Sequence, residues 1–139
     1  MDAILSENEK TLKSGKESIA KQYIHHSDRT LWDFDIVTDQ TFYNINRIHP
    51  LKQRDTLNFI NAASLDPHIQ GLIVFGSAVR FDCHSGSDLD ILVIRDDKQL
   101  TINSSLDNIN SELDIIFASK IGPRLKEEIA RTGVIVYER

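Results

Sequence analysis

Three aspartates and one Gly-Ser pair are the residues of this chain whose types and spacing could do chemistry. Asp88 and Asp90 are separated by one residue at the start of an apolar run, and Asp114 lies in a later apolar run. Because side chains alternate across a strand with a period of two, Asp88 and Asp90 project from one face if this run is a strand. Carboxylate oxygens are the hard ligands that Mg²⁺ prefers. The spacing therefore predicts a metal-binding acidic pair.

The Gly-Ser pair, Gly76-Ser77, follows the apolar run 71–75, and ten residues separate it from Asp88. A turn from a strand into a helix presents free backbone N–H groups, a hydroxyl and the positive end of the helix dipole, which together favour a phosphate. Arg80 could add a charge-assisted contact, although an exposed or ion-paired arginine is the more common role. The predicted nucleotide-binding residues are Gly76, Ser77, Arg80 and Ser87.

The order of Gly76-Ser77, a ten-residue spacer and Asp88-Leu89-Asp90 resembles the signature of the nucleotidyltransferases of the DNA polymerase β superfamily. Asp114 stands where that family places a single acid on its next strand. The resemblance covers residues 67–139 and implies a nucleotidyltransferase fold of the α+β class, with a twisted mixed sheet of about four to five strands flanked by helices. The chain departs from the family at Phe81, where a glycine often follows the arginine. This departure concerns the shape of the loop and removes no catalytic group.

The resemblance implies transfer of a nucleotidyl group from a nucleoside triphosphate, with ATP expected, to an acceptor hydroxyl. Negative charge builds on the attacking and leaving oxygens of such a transfer, and two Mg²⁺ ions about 3.5–4 Å apart stabilise both. Asp88 and Asp90 would bridge the two ions. Asp114 would reach the ion that binds the attacking hydroxyl, and would orient that hydroxyl or accept its proton. The predicted catalytic and metal-binding residues are thus Asp88, Asp90 and Asp114.

Each of these residues also has an ordinary structural interpretation. Two aspartates near a strand start are commonly solvated. An aspartate between apolar residues, such as Asp114, needs a partner, a metal or a solvent-facing position, because an unpaired charge is costly to bury. Cys83 and His84 in the spacer have no third ligand at zinc spacing. The combination of the aspartates with Gly76-Ser77 favours the functional interpretation.

The acceptor is not visible in the sequence. Small stand-alone members of the family are often paired with a helical partner in toxin–antitoxin modules, so the resemblance implies a protein partner or acceptor. Two alternatives stay open, namely transfer to a small molecule such as an aminoglycoside, and a module that binds a nucleotide or a partner without turnover. The aromatic stretch from Trp32 to Tyr43 could cover the sheet, line an acceptor cleft or form a homo-oligomer interface.

Composition narrows the class of protein. The chain has 139 residues, of which 40% are hydrophobic, enough for one core. We expect a single domain, 1–139, with an N-terminal helical and strand extension (1–64) and a nucleotidyltransferase core (65–139). A formal net charge of −5 argues against nucleic-acid binding, which favours a basic surface. One cysteine, no apolar run near the roughly 18 residues of a membrane span and no signal-like start predict a cytoplasmic protein outside the membrane.

Periodicity and turn residues predict the elements that position these side chains. Before the motif we expect an amphipathic helix over Leu5–Ile24, one or two short strands within Thr30–Asn46 and a helix over Pro50–Ala63. Around the motif we expect a strand over Gly71–Phe75, a short helix and loop over Ala78–Gly86, and a strand over Ser87–Ile94. Later come a solvated segment over Arg95–Lys98, a weak helix or loop over Leu100–Asn110, a strand over Leu113–Phe117, a helix from Pro123 and a strand after Gly133. The core would alternate β, α, β, α, β, α, β.

Overall fold

The computed structural model describes residues 19–24, 32, 37 and 39–139. In this part of the chain the helices are α1 (Pro50–Ala63) and α2 (Pro123–Thr132), and the strands are β1 (Ile69–Phe75), β2 (Leu89–Arg95), β3 (Leu113–Phe117) and β4 (Val134–Glu138). Short 3-10 turns span Ala20–Tyr23, Ile45–Arg47, Gly76–Val79 and Ala118–Lys120. None of the described helices is long and apolar enough to cross a membrane.

The four strands form one mixed sheet in the order β3-β2-β1-β4. β1 runs antiparallel to β2 and β4, whereas β2 and β3 are parallel. The parallel register places Asp90 of β2 directly beside Asp114 of β3. The predicted α+β class and the mixed sheet are therefore confirmed, and the sheet has four strands among the described residues.

The two helices cover opposite faces of the sheet. Phe59 and Ile60 of α1 belong to one apolar cluster with the β2 residues Leu89, Ile91 and Val93. Strand side chains on the other face of the sheet belong to a second cluster under α2, which contains Ile73, Phe75, Leu92, Ile94, Ile129 and Ile135. Because the β2 side chains alternate, Asp90 shares the face of Leu92 and Ile94. Asp90, and Asp114 paired with it on β3, therefore lie on the α2 side of the sheet, whereas Asp88 precedes β2.

The predicted alternation of strands and helices is wrong at two connections. Between β1 and β2 the chain makes only the 3-10 turn Gly76–Val79 and a loop, and residues 96–112 between β2 and β3 contain neither helix nor strand. Residues 100–110 thus form the loop that was one of the two expectations. Local hydrogen bonds, such as that from the Asp107 amide to the Ser105 hydroxyl, compete there with a helix.

The strands predicted within residues 30–46 are wrong for the part that the structure describes, Trp32, Val37 and residues 39–46, which contains no strand. Asn44 adopts a left-handed backbone with φ of 64° and leads into a 3-10 turn. Its side chain donates a hydrogen bond to the carbonyl of Ile135 at 2.8 Å. Turn formation at an asparagine therefore overrides the strand preference of its aromatic and β-branched neighbours.

Of the predicted N-terminal helix, only its end is described, where Ala20–Tyr23 form a 3-10 turn against the second cluster; the remainder lies outside the described residues. The division of the chain at residue 64 stays a prediction.

The solvated segment predicted over Arg95–Lys98 is wrong at Arg95, which is the last residue of β2. The Arg95 side chain is only 2% exposed and donates to Asp66 at 2.7 Å and to Asp97 at 2.6 and 2.8 Å. Two carboxylates satisfy the buried guanidinium, and this ion-pair network holds the Asp66 turn before β1 against the end of β2.

Candidate active site

The site begins where β1 ends. Gly76 has a φ of +75°, in the region that favours glycine, and Phe75 pairs with Asp90 across the sheet. A Cβ built on Gly76 would lie 3.1 Å from Cγ of Asp90 and closer still to its Oδ2. Both the backbone conformation and the lack of space therefore require glycine at this position.

Asp90 and Asp114 come together on adjacent strands. The pKa of Asp90 is raised from 3.8 to about 6, first by its partial burial, then by the charge of Asp114 and a hydrogen bond between the two side chains, and then by the charges of Asp88 and Glu128. A hydrogen bond between two carboxyl groups needs one proton. Asp88 and Asp114 are exposed. The structure thus gathers the three predicted aspartates into one region of negative charge.

The donor set of this region fits a divalent cation. The charges of Asp114, Asp88 and Glu128 all raise the pKa of Asp90, after the larger effect of its partial burial. Clustered carboxylates favour a cation, and their oxygens are suitable Mg²⁺ ligands.

A second group of ligands lies at the opposite end of the β1–β2 pair. His68, Asp96 and Asp97 have ligand atoms within 4.8 Å of one another, a closeness that the three aspartates do not reach among the described residues. Asp97 is occupied by Arg95, and His68 Nδ1 lies 2.8 Å from Asp96 Oδ1. This group is therefore explained by the ion-pair network around Arg95.

Ser77 lies in the 3-10 turn Gly76–Val79 that follows β1. Its hydroxyl donates to the carbonyl of Asp88 at 3.3 Å, which joins the Gly-Ser turn to the segment carrying the aspartates. The carbonyl of the next residue, Ala78, accepts a hydrogen bond from the His49 amide at 2.8 Å. The turn is thus held between the start of β2 and the residue that precedes α1.

Comparison with known proteins bears directly on this arrangement. The model of the family described as polymerase beta, nucleotidyltransferase matches residues 57–139, more than half of the chain. The chain belongs to this nucleotidyltransferase family. The match includes the end of α1, the whole sheet and every predicted site residue. The resemblance read from the motif is therefore confirmed, as is a nucleotidyltransferase fold.

Two solved structures are similar to parts of the chain. A chain of the toxin–antitoxin MntA–HpeT crystal structure is 19% identical, with a TM-score of 0.47, over 62% of this chain and 73% of that one. A protein from Sulfolobus solfataricus, described as a candidate nucleotidyltransferase, is 21% identical, with a TM-score of 0.42, over 64% of this chain and 80% of that one. None of the curated proteins matches the chain.

In this nucleotidyltransferase domain, the departure at Phe81 creates an exposed aromatic surface. Phe81 is 72% exposed, and its ring meets that of Trp32 edge-on with 5.6 Å between centroids. Trp32 in turn meets the His49 ring edge-on at 5.2 Å. Arg80 is exposed and pairs with Asp82 at 3.2 Å. Its contact with a nucleotide stays a prediction.

Ser87 is engaged within the loop of the nucleotidyltransferase motif. Its hydroxyl accepts a hydrogen bond from the His84 amide at 3.0 Å, and its carbonyl accepts one from the buried Lys52 ammonium. These bonds give Ser87 a structural role in shaping the loop before Asp88. The predicted contact of Ser87 with a nucleotide stays a prediction.

Sequence reasoning missed Glu128, whose charge contributes to the raised pKa of Asp90. Glu128 precedes Ile129, the α2 residue that packs against the sheet on the face of the aspartates. No motif includes Glu128, and its position depends on how α2 lies over the sheet. Only the packing of that helix shows that a fourth acid stands near the site.

Proposed function

We propose that this domain transfers a nucleotidyl group from a nucleoside triphosphate, with ATP expected, to a hydroxyl of an acceptor. The observation that carries this proposal is the contact of Asp90 with Asp114 beside the Gly76 turn. The turn and a pair of carboxylates on adjacent strands are the two parts that such a reaction needs. The turn would hold the phosphates. The carboxylates would accept the proton of the attacking hydroxyl and hold the cations that stabilise the developing negative charge.

In the proposed reaction the acceptor oxygen attacks the α-phosphorus, and the bond from that phosphorus to the oxygen bridging the β-phosphate breaks. Pyrophosphate leaves with the bonding electrons, and the hydroxyl proton passes to Asp114, whose side chain is exposed to an incoming acceptor. The amides of the Gly76 turn and the Ser77 hydroxyl hold the terminal phosphates, with Arg80 as an additional contact.

Asp88, Asp90 and Asp114 would hold the Mg²⁺ ions. The resemblance read from the sequence implies two such ions. When bound, magnesium supplies positive charge against the negative charge that develops on the attacking and leaving oxygens. It would also relieve the repulsion among carboxylates that, after partial burial, raises the pKa of Asp90.

We infer that the acceptor is a protein partner. Asp88 and Asp114 are exposed, so a large acceptor can reach them, whereas tight binding of a small acceptor needs a concave site that buries most of it. A partner protein would supply that wall, and a second copy of this chain would do so in a homo-oligomer. We further propose a cytoplasmic location, because nucleoside triphosphates are abundant in the cytoplasm.

The test is incubation of the purified chain with each α-labelled nucleoside triphosphate, with Mg²⁺ or with EDTA. The acceptor is either the protein encoded beside it or a panel of small hydroxylated compounds. We expect Mg²⁺-dependent addition of one nucleotide mass to a Tyr, Ser or Thr of the protein, lost in Asp90→Asn and retained in the exposed-loop control Asp107→Asn. Rapid labelling of a small compound in the absence of a partner protein would contradict the proposal of a protein acceptor and would favour a small-molecule acceptor. If the chain binds nucleotide but transfers it to no acceptor, the proposed transfer is refuted and the chain is a nucleotide-binding module.

A further inference from the structure

Lys52 is a buried lysine in the first turn of α1. Its side chain belongs to the largest fully buried ones, at 1% exposure. Its ammonium donates to the Ser85 carbonyl at 3.3 Å, to the Ser87 carbonyl and to the Ser111 hydroxyl at 2.8 Å. An ammonium has three N–H donors, so all of them are used. Lys52 is therefore closed to a nucleotide and acts only through the segments that it binds.

Those segments lead directly to the aspartates. Ser85 and Ser87 belong to the loop that delivers Asp88 to the start of β2. Ser111 precedes β3, which carries Asp114. Lys52 thus joins, from the α1 side of the sheet, the two stretches of chain that bring the carboxylates together on the α2 side.

Asp55, one helical turn after Lys52, completes the connection. Its carboxylate accepts hydrogen bonds from the amides of Asn110 and Ser111, at 3.1 and 2.8 Å, and from the Ser111 hydroxyl at 2.5 Å. Asp55 is itself only 7% exposed. Ser111 therefore donates to Asp55 and accepts from Lys52, which links two buried opposite charges through one hydroxyl.

A backbone hydrogen bond between the starts of β2 and β3 aligns the two strands that carry Asp90 and Asp114. The Leu89 amide donates to the Glu112 carbonyl at 2.8 Å, between the Lys52 contacts and the pair Asp90–Asp114. A change in the relative position of the Ser87 and Ser111 segments would break this bond. Because carboxylates must converge to share cations, a displacement on the order of 1 Å there would cost up to about 10²-fold in rate.

We propose that Lys52, with Asp55 and Ser111, is a positioning residue that sets the register of β2 against β3 and thereby the convergence of Asp88, Asp90 and Asp114. The proposal rests on the proposed function for its effect on transfer, but not for its effect on the strand register. The two effects can be measured separately.

The test compares Lys52→Met, which keeps an unbranched side chain one atom shorter and removes its donors, with the control Arg54→Met on the exposed side of the same helix. Hydrogen exchange of the Leu89 amide reports the strand register without reference to activity, and the Val93 amide deeper in β2 serves as an internal reference. We expect Leu89 to exchange at least tenfold faster in Lys52→Met while Val93 stays protected. We also expect the kcat of transfer to fall about 10–100-fold, and Arg54→Met to change neither.

If Lys52→Met does not fold, Ser111→Ala decides, because it removes only the bridging hydroxyl. Accelerated exchange at Leu89 with reduced kcat supports the proposal in either variant. Unchanged exchange at Leu89 and unchanged kcat in the folded variants would overturn it, and so would a loss of stability with full activity in the folded fraction. Faster Leu89 exchange in a chain whose wild type transfers nothing would sustain the positioning role and refute the proposed function.

Discussion

The Asp90 carboxylate lies against the Cα of Gly76, in the space that a Cβ would occupy. Gly76 provides the turn at which a phosphate would bind, and Asp90 is the most buried of the three predicted catalytic acids. The phosphate turn and the acidic strand are therefore in direct contact, and neither can move without the other. This contact explains why the glycine of the motif and the second aspartate of Asp-x-Asp belong to one structural unit.

Gly76→Ala should destabilise the protein by at least about 2 kcal/mol. A left-handed alanine costs roughly 1 kcal/mol, and displacement of the Asp90 carboxylate adds a further 1–3 kcal/mol or so. Urea unfolding would measure the loss. Gly122→Ala is the matched control, because a Cβ there meets no atom within 4 Å.

The same substitution also tests whether Asp90 is the cause. In an Asp90→Ala background the steric part of the Gly76→Ala penalty should disappear and leave only the backbone part. Equal penalties in both backgrounds would show that the glycine is required for its conformation alone.

Asp90→Asn should abolish transfer and, without metal, raise stability at high pH. The pKa of Asp90 is raised from 3.8 to about 6, so the folded state binds the proton more tightly than the unfolded state. The resulting stabilisation is present below pH 3.8 and is lost as the pH rises through about 6. After allowance for solvent screening, we expect a gain of about 1 kcal/mol at pH 8 and none at pH 3.5. Chemical unfolding with EDTA at both values measures it, and an equal gain at both would contradict the assigned cause.

Ser77→Ala should reduce transfer about tenfold to hundredfold, less than loss of an aspartate. A charge-assisted hydroxyl contact contributes about 1.5–3 kcal/mol, and the backbone amides of the turn remain. Steady-state kinetics with varied nucleotide would show the effect. Ser119→Ala, at an exposed serine after β3, should have none. A loss as large as that in Asp90→Asn would mean that the roles assigned to the two residues are wrong.

His49 should make stability fall in mild acid. Its Nδ1 accepts the Leu51 amide at 3.1 Å at the start of α1, which requires the neutral ring, and burial followed by the charge of Lys52 lowers its pKa below 6.5. Because the pKa of His49 is lower in the folded state, its contribution to the free energy of unfolding is present above pH 6.5. This contribution is lost as the pH falls through the pKa of the folded state.

Unfolding of His49→Asn across pH 5 to 7.5 provides the measurement, since asparagine also caps a helix but does not titrate. We expect the variant to lose this dependence on pH. His68→Asn is the contrasting variant, because hydrogen bonding to Asp96 raises the pKa of His68 and gives a contribution that is lost as the pH rises. A steeper decline in acid for His49→Asn would refute the cap assignment.

Local patterns in the sequence determined the strands and the motif. The runs 71–75, 87–94 and 113–117 predicted the positions of β1, β2 and β3 to within two residues at each end. Apolar runs bounded by turn residues identify strands because burial and backbone preference act over neighbouring positions. The spacing of Gly76-Ser77 and the two aspartates was enough to identify the family for the same reason, since all of these residues lie on one short stretch of chain.

Only the tertiary structure decided which distant residues meet. The position of Asp114 beside Asp90, the charge of Glu128 near the site and the burial of Lys52 all depend on pairings across long sequence separations. No local pattern distinguishes Lys52 from the exposed Arg54 two residues later, because both are cations on one helix. Their different roles follow from which face of α1 packs against the sheet and from the backbone carbonyls that this packing buries.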